Sequence, residues 1–180
     1  ELAKKSKIIV VGAGWWACEF HLPHILSNSN AELVGVSRIG SAELQRIQKH
    51  FGIPFVSEDH TELYTLKPDG VIVASPHVFH AEHAKYALEK GCHVLVEKPM
   101  ATSTEDAEAL CSIARKTGQT LMTPYGLNHT HYMESAADQV AMGSIGNIQH
   151  VALHMSSALM DLFGGEPMAE TEKHMYRCLL

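Results

Sequence analysis

The sequence predicts an α/β fold: a doubly wound parallel sheet with helices on both faces, followed by the opening of a second, α+β domain. Three observations carry that prediction. A run of β-branched residues, Ile8 to Val11, leads straight into Gly12-x-Gly14-x-x-Ala17. Five further apolar strand segments alternate with helical ones as far as Thr123, and beyond Pro124 the alternation stops. Strict strand–helix alternation gives parallel sheets with right-handed crossovers, and strands covered on both faces are apolar throughout.

Each element has its own signal. After the first strand, Trp15 to Asn28 reads as a helix, with Pro23 marking a break or kink. Ala31 to Val36 is a second strand ending at Ser37-Arg38. Ser41 is expected to cap a helix that carries Leu44, Ile47 and Phe51 on one face and stops at Gly52 and Pro54. Phe55-Val56 is a short third strand, and a helix follows from Asp59 to Leu66. After the turn Lys67–Gly70 come a fourth strand, Val71 to Ala74, and a helix from Phe79 to Lys90 ending at Gly91. Cys92 to Val96 is the fifth strand. Thr102 and Glu105 have capping-box spacing ahead of a helix burying Leu110, Cys111, Ile113 and Ala114, which stops at Gly118. Thr120 to Thr123 is the sixth strand. Residues 1–124 therefore form the first domain.

Residues 125–180 read differently: a helix from His129 to Met142, a turn at Gly143–Gly146, and an alternating strand from Ile148 to Ser156. Gly164-Gly165-Glu166-Pro167 and a polar tail follow. One helix and one strand cannot bury a core unaided, so this region is expected to be the incomplete start of a second domain. The sequence begins at Glu1 rather than Met, and a few residues are expected upstream.

Composition excludes several classes. With 180 residues, 46% hydrophobic and 19% charged, the chain suits a globular protein with one full core and part of another. A net charge of −6 and the lack of Lys/Arg runs argue against a nucleic-acid partner. No apolar run reaches membrane-spanning length, and the apolar stretch near the N-terminus is broken by glycines, unlike a signal peptide. Cys18, Cys92, Cys111 and Cys178 lie far apart with no C-x-x-C pair, which predicts buried thiols in a reducing, cytoplasmic compartment.

In open α/β sheets, ligands bind beyond the carboxyl ends of the strands, and four places qualify. At the first, Gly12 turns the chain out of the strand, Gly14 leaves room for a pyrophosphate, and Ala17 lets the helix pack closely. Trp15 and Trp16 occupy the variable positions of that turn, either walling the cleft, meeting a second domain or simply packing. Second, Ser37-Arg38 ends strand two without the acidic residue that hydrogen-bonds an NAD ribose. A hydroxyl and a guanidinium suit a 2′-phosphate, so NADP is expected over NAD, which stays possible; a plain loop arginine is the alternative.

Third, Ala74-Ser75-Pro76-His77-Val78-Phe79-His80 leaves strand four, and Ser75 and His80 could meet a ribose or the nicotinamide. His77, His80 and His83 are spaced by threes, but Glu82 is the sole carboxylate beside them, and no metal site is expected. His129/His131 and His150/His154 are read in the same way. Fourth, Glu97-Lys98-Pro99 leaves strand five. A partly buried Lys98 near the nicotinamide's charge would lose ammonium stability and approach the range of a proton carrier. From position alone, a solvated lysine that touches phosphate or caps Glu97 fits as well.

Taken in order, Gly12-x-Gly14-x-x-Ala17, Ser75-Pro76-x-x-x-His80 and Glu97-Lys98-Pro99, the last preceded by Gly91 to Val96, resemble the Gfo/Idh/MocA oxidoreductases over residues 6–160. The resemblance implies a Rossmann NAD(P)-binding domain. It also implies hydride transfer between nicotinamide and a carbinol carbon of a sugar, cyclitol or related polyol. Lys98 would then exchange a proton with the reacting oxygen and bind substrate, with a cis bond to Pro99, and Glu97 would help place it. Asn128 stands where the family usually has an arginine or similar residue, and is taken as a substrate-binding candidate. The family's Asp and His on a helix of the substrate domain have no counterpart before Leu180, nor does the sheet that tends to form the oligomer interface. A homo-oligomer is expected of the full-length protein, and the chain as given would bind cofactor with little turnover. A different class of function, a non-catalytic NAD(P)-binding regulator on the same fold, is the alternative, and a simple nucleotide-binding module a third.

Overall fold

The computed structural model of the chain describes residues 4–154. Within them, six parallel strands form one sheet in the order β3-β2-β1-β4-β5-β6. They are β1 (Ser6–Val11), β2 (Ala31–Ser37), β3 (Val56–Ser57), β4 (Gly70–Val73), β5 (His93–Val96) and β6 (Leu121–Met122). The helices are α1 (Leu22–Ser27), α2 (Ser41–Phe51), α3 (His80–Glu89), α4 (Thr104–Thr117) and α5 (His131–Ala141). Strand order reverses between β1 and β4, so the crevice of this doubly wound sheet opens where Val11 and Val73 end.

The alternation of side chains along β1 explains why its residues are all apolar. Ile9 and Val11 join Leu63, Val71, Ala84, Leu88, Val94 and Leu110 in the core on one side of the sheet. Val10 joins Ala17, Leu22, Val36, Leu44 and Ile47 on the other. A strand between two cores needs apolar residues in both phases of its period-two repeat.

Several boundaries differ from the sequence expectation, each for a local reason. The helix after the glycine turn contains a π turn, Ala17–His21, before α1, and the Leu22 amide bonds the Ala17 carbonyl. Pro23 has no N–H for the Glu19 carbonyl, so the wider turn forms just ahead of it. Ser41 is the first residue of α2 rather than its cap; Gly40, at φ 102°, holds that position. The cap of α4 is Ser103, one residue later than the expected box: its Oγ accepts from the Asp106 amide at 3.1 Å and donates to the Asp106 carboxylate at 2.8 Å. The segment His60–Leu66 is a 3-10 helix capped by the Asp59 side chain, and β3 is shifted by one residue to Val56–Ser57.

The described residues divide into two compact units, the first ending at Pro124 and the second starting at Tyr125. In the second, a 3-10 turn, Gly126–His129, precedes α5, and Gly143 and Gly146 make a turn after it. Residues 148–154 carry no strand and are exposed. An alternating pattern becomes a strand only when a neighbour takes up its backbone hydrogen bonds, and none among the described residues does so. The rest of that segment, Met155-Ser156, together with Gly164–Pro167 and Cys178, lies outside the described residues. Cys18, Cys92 and Cys111 are free thiols, but only Cys92 is buried as expected; Cys18 and Cys111 are half-buried. Among the described residues no helix is long and apolar enough to cross a membrane.

Candidate functional site

The glycine turn sits at the reversal of strand order, and its two glycines are required for different reasons. Gly12 has φ +93°, and a Cβ there would lie 2.3 Å from the backbone of Ser75, so only glycine lets β1 and the loop after β4 meet. At Gly14 a Cβ would meet nothing within 4 Å, so its bareness leaves space on the ligand side of the turn. Ala17 is fully buried, as the close packing of helix on strand demands.

The end of β2 bonds to the back of this turn. The Ser37 carbonyl accepts from the Gly12 and Ala13 amides at 2.9 and 3.1 Å, and the residue is 3% exposed. Its hydroxyl is thus withdrawn from the surface where the sequence placed it, because β2 is paired on both sides at this residue. Arg38 does face the turn. Its Nη1 donates to the Ala13 carbonyl at 2.7 Å, while its Nε is buried with no hydrogen-bond partner. An orphaned guanidinium N–H beside the glycine turn fits an anionic group of a dinucleotide.

The loop after β4 turns its polar groups inward. Ala74 continues the sheet by donating to the Val11 carbonyl at 2.8 Å, and Pro76 is itself extended at ψ 143° before a 3-10 turn, His77–Phe79. Ser75 is buried, with its hydroxyl 2.9 Å from His83 Nδ1. Burial, reinforced by the neighbouring His60 and His80, pushes His83 down to about 4, leaving it neutral near pH 7. His80 is 1% exposed, and its two ring nitrogens lie 2.7 Å from the carbonyls of Ser75 and Pro99. It therefore ties the β4 and β5 loops together from beneath and has no ring nitrogen left for a ribose or nicotinamide. Among the described residues no three His, Cys, Asp or Glu side chains are grouped to hold a metal ion.

At the mouth of β5, Glu97 takes the buried position and Lys98 the exposed one. Lys98 is therefore not half-buried as the sequence reading expected. Its Nζ stands 5.7 Å from the centroid of the Trp16 ring, and the Lys98–Pro99 peptide is cis. Glu97 Oε1 accepts from Trp16 Nε1 at 2.8 Å and lies 2.8 Å from His21 Nε2; Oε2 accepts from the Lys98 amide at 3.1 Å. Burial alone would raise the Glu97 carboxyl, but hydrogen bonds from His21, Trp16 and the Lys98 amide outweigh it and hold the group below the usual carboxylate range.

Trp15, Trp16 and Phe20 make an exposed aromatic group beside this carboxylate, with centroids 4.2 to 6.1 Å apart. Asn128 is exposed in the second unit, its amide bonded to the Tyr125 carbonyl. His21 was invisible to the sequence reading because it lies five residues from Trp16, a spacing that α-helical periodicity does not place on one face. His83 stood out only as part of a histidine triplet, not as the partner of Ser75.

The match to known proteins is decisive at this point. Residues 6–125 match the family model described as the oxidoreductase family with the NAD-binding Rossmann fold. The chain is a member of the Gfo/Idh/MocA family. It is 35% identical over 145 residues to a D-glucoside 3-dehydrogenase of Escherichia coli K12, covering 79% of this chain and 41% of that protein. Among solved structures, a scyllo-inositol dehydrogenase from Lactobacillus casei with bound NAD(H) and scyllo-inositol superimposes with TM-score 0.75 at 26% identity, covering 80% of this chain and 43% of the other. A 3-ketoreductase from Actinomadura kijaniata in complex with NADP superimposes with TM-score 0.72 at 30% identity, covering 81% and 47%. The chain spans less than half the length of these family members.

Proposed function

We propose that this chain is the cofactor-binding part of an NAD(P)-dependent oxidoreductase that acts on a hydroxyl-bearing carbon of a sugar, cyclitol or related polyol, with Lys98 as proton carrier. The observation that carries this reading is the placement of Lys98 at the mouth of β5, on the side of the crevice reached by the glycine turn. Relatives named as a glucoside dehydrogenase, an inositol dehydrogenase and a dTDP-3,4-didehydro-2,6-dideoxy-α-D-glucose 3-reductase support the substrate class. Gly12, Gly14 and the backbone amides of Trp15 and Trp16 offer the turn and helix start to the pyrophosphate, and the sheet-end residues Ala74, Ser75 and Pro76 form the neighbouring wall. Arg38, with an unpartnered Nε and in a strand end, Ser37-Arg38, that carries no acidic residue, favours the 2′-phosphate of NADP over a bare ribose. When bound, the nicotinamide supplies or accepts the hydride. Lys98 then gives a proton to the reacting oxygen or takes one from it, while Glu97 fixes the lysine's backbone and His80 fixes the loops on either side. Asn128 is proposed as a substrate contact. A cytoplasmic location and a homo-oligomeric full-length protein complete the proposal.

Lys98→Met should leave NADPH affinity within about twofold and lower hydride transfer at least ~10²-fold in the polypeptide at its natural length, followed by nicotinamide absorbance. Undiminished turnover would end the assignment. Arg38→Ala should cut the ratio of NADPH to NADH affinity by about ten- to hundredfold, the value of charge-assisted hydrogen bonds. An unchanged ratio would remove the NADP preference.

A further inference from the structure

The π turn has a geometric consequence at the site. In a regular α-helix, residues five apart point about 140° away from each other. A turn closed by i→i+5 bonds stacks them instead. The bond from the Leu22 amide to the Ala17 carbonyl closes such a turn, and Trp16 and His21 both reach Glu97 Oε1 at 2.8 Å. The other oxygen of the same carboxylate holds the Lys98 amide. The indole is thereby fixed by its N–H edge and backed by Phe20, with centroids 4.2 Å apart. Its face carries the Lys98 ammonium.

We propose that Trp16 is a positioning residue for Lys98: Glu97 fixes the edge of the indole, and its face restrains the lysine's side chain over the crevice. The inference rests on the reading of Lys98 as proton carrier. A lysine on a flexible four-carbon stem samples many positions, and a ring face that attracts its ammonium narrows them before substrate arrives. The second variable position of the glycine turn thus does more than border the cofactor, because it links the pyrophosphate end of the crevice to the proton-transfer end.

Two measurements test this together. By NMR on the 13C-labelled chain, the Lys98 ε-methylene resonance, assigned by its loss in Lys98→Met, should lie upfield of the other lysines through the ring current of Trp16. It should return to their position in Trp16→Leu. In the polypeptide at its natural length, Trp16→Leu should lower kcat about two- to fivefold, the value of a cation–π contact at an exposed site, with NADPH Kd and substrate KM unchanged. Trp16→Phe, which keeps a ring face and the packing on Phe20, should recover part of kcat. An unshifted ε-methylene in the unaltered chain overturns the proposal without any variant. So does an unchanged kcat in Trp16→Leu, or a loss confined to Kd or KM, while Lys98→Met remains inactive. Normal turnover by Lys98→Met would instead overturn the proton-carrier reading itself.

Discussion

Two side chains, the buried Glu97 and the half-buried His83, differ in how their charge is settled. Glu97 keeps its charge despite burial because three donors converge on it; His83 gives up its charge because burial and two neighbouring imidazoles oppose it. The second has a measurable consequence. With its native pKa lowered to about 4 and an unfolded value of 6.5, His83 binds fewer protons folded than unfolded between those limits. Stability should therefore be fully present above pH 6.5 and fall as the pH drops toward 4. Replacing His83→Asn should flatten that part of the profile, as read by thermal unfolding across the range. A profile with the same slope in the variant would show that other groups govern it. Neither environment is legible in the sequence. Glu97 was found through its position before Lys98, but its partners Trp16 and His21 lie some 80 residues away and meet it through a π turn that period 3.6 does not reveal.

Among the elements, the glycine turn is the one that sequence reads most completely, because its requirements are local: a strand end, a positive φ, a bare backbone and a small residue under the helix. Even there the structure adds a long-range reason. The space denied to a side chain at Gly12 is filled by the backbone of Ser75, from the loop after β4. Gly12→Ala should accordingly destabilise the domain by about 3 kcal/mol or more, combining a left-handed φ with a backbone clash, measured by denaturant unfolding. Gly14→Ala, with open space around it, should leave stability nearly unchanged and weaken NADPH binding instead. Equal stability losses at the two glycines would contradict that division. The His80 assignment shows the opposite limit. A histidine following a strand-end Ser-Pro looks like a ligand contact in sequence, yet it opens α3 facing two buried carbonyls, a demand created only when the loops after β4 and β5 come together.

For the molecule as a whole, strand order, crevice and family agree because all three depend on the same alternation of apolar strands and amphipathic helices. That alternation is strong enough to be read element by element up to Pro124. Past Tyr125 the alternating pattern of residues 148–154 meets no strand among the described residues, and pattern alone does not make a sheet. The chain spans less than half the length of the relatives it matches. The most direct test of that crevice is a crystal structure of this chain grown with NADPH. The account predicts the pyrophosphate on the amides that open the first helix, the 2′-phosphate at Arg38 and the nicotinamide beside the Lys98 ammonium. An empty crevice in a crystal saturated with NADPH, or a nicotinamide bound away from Lys98, would contradict it.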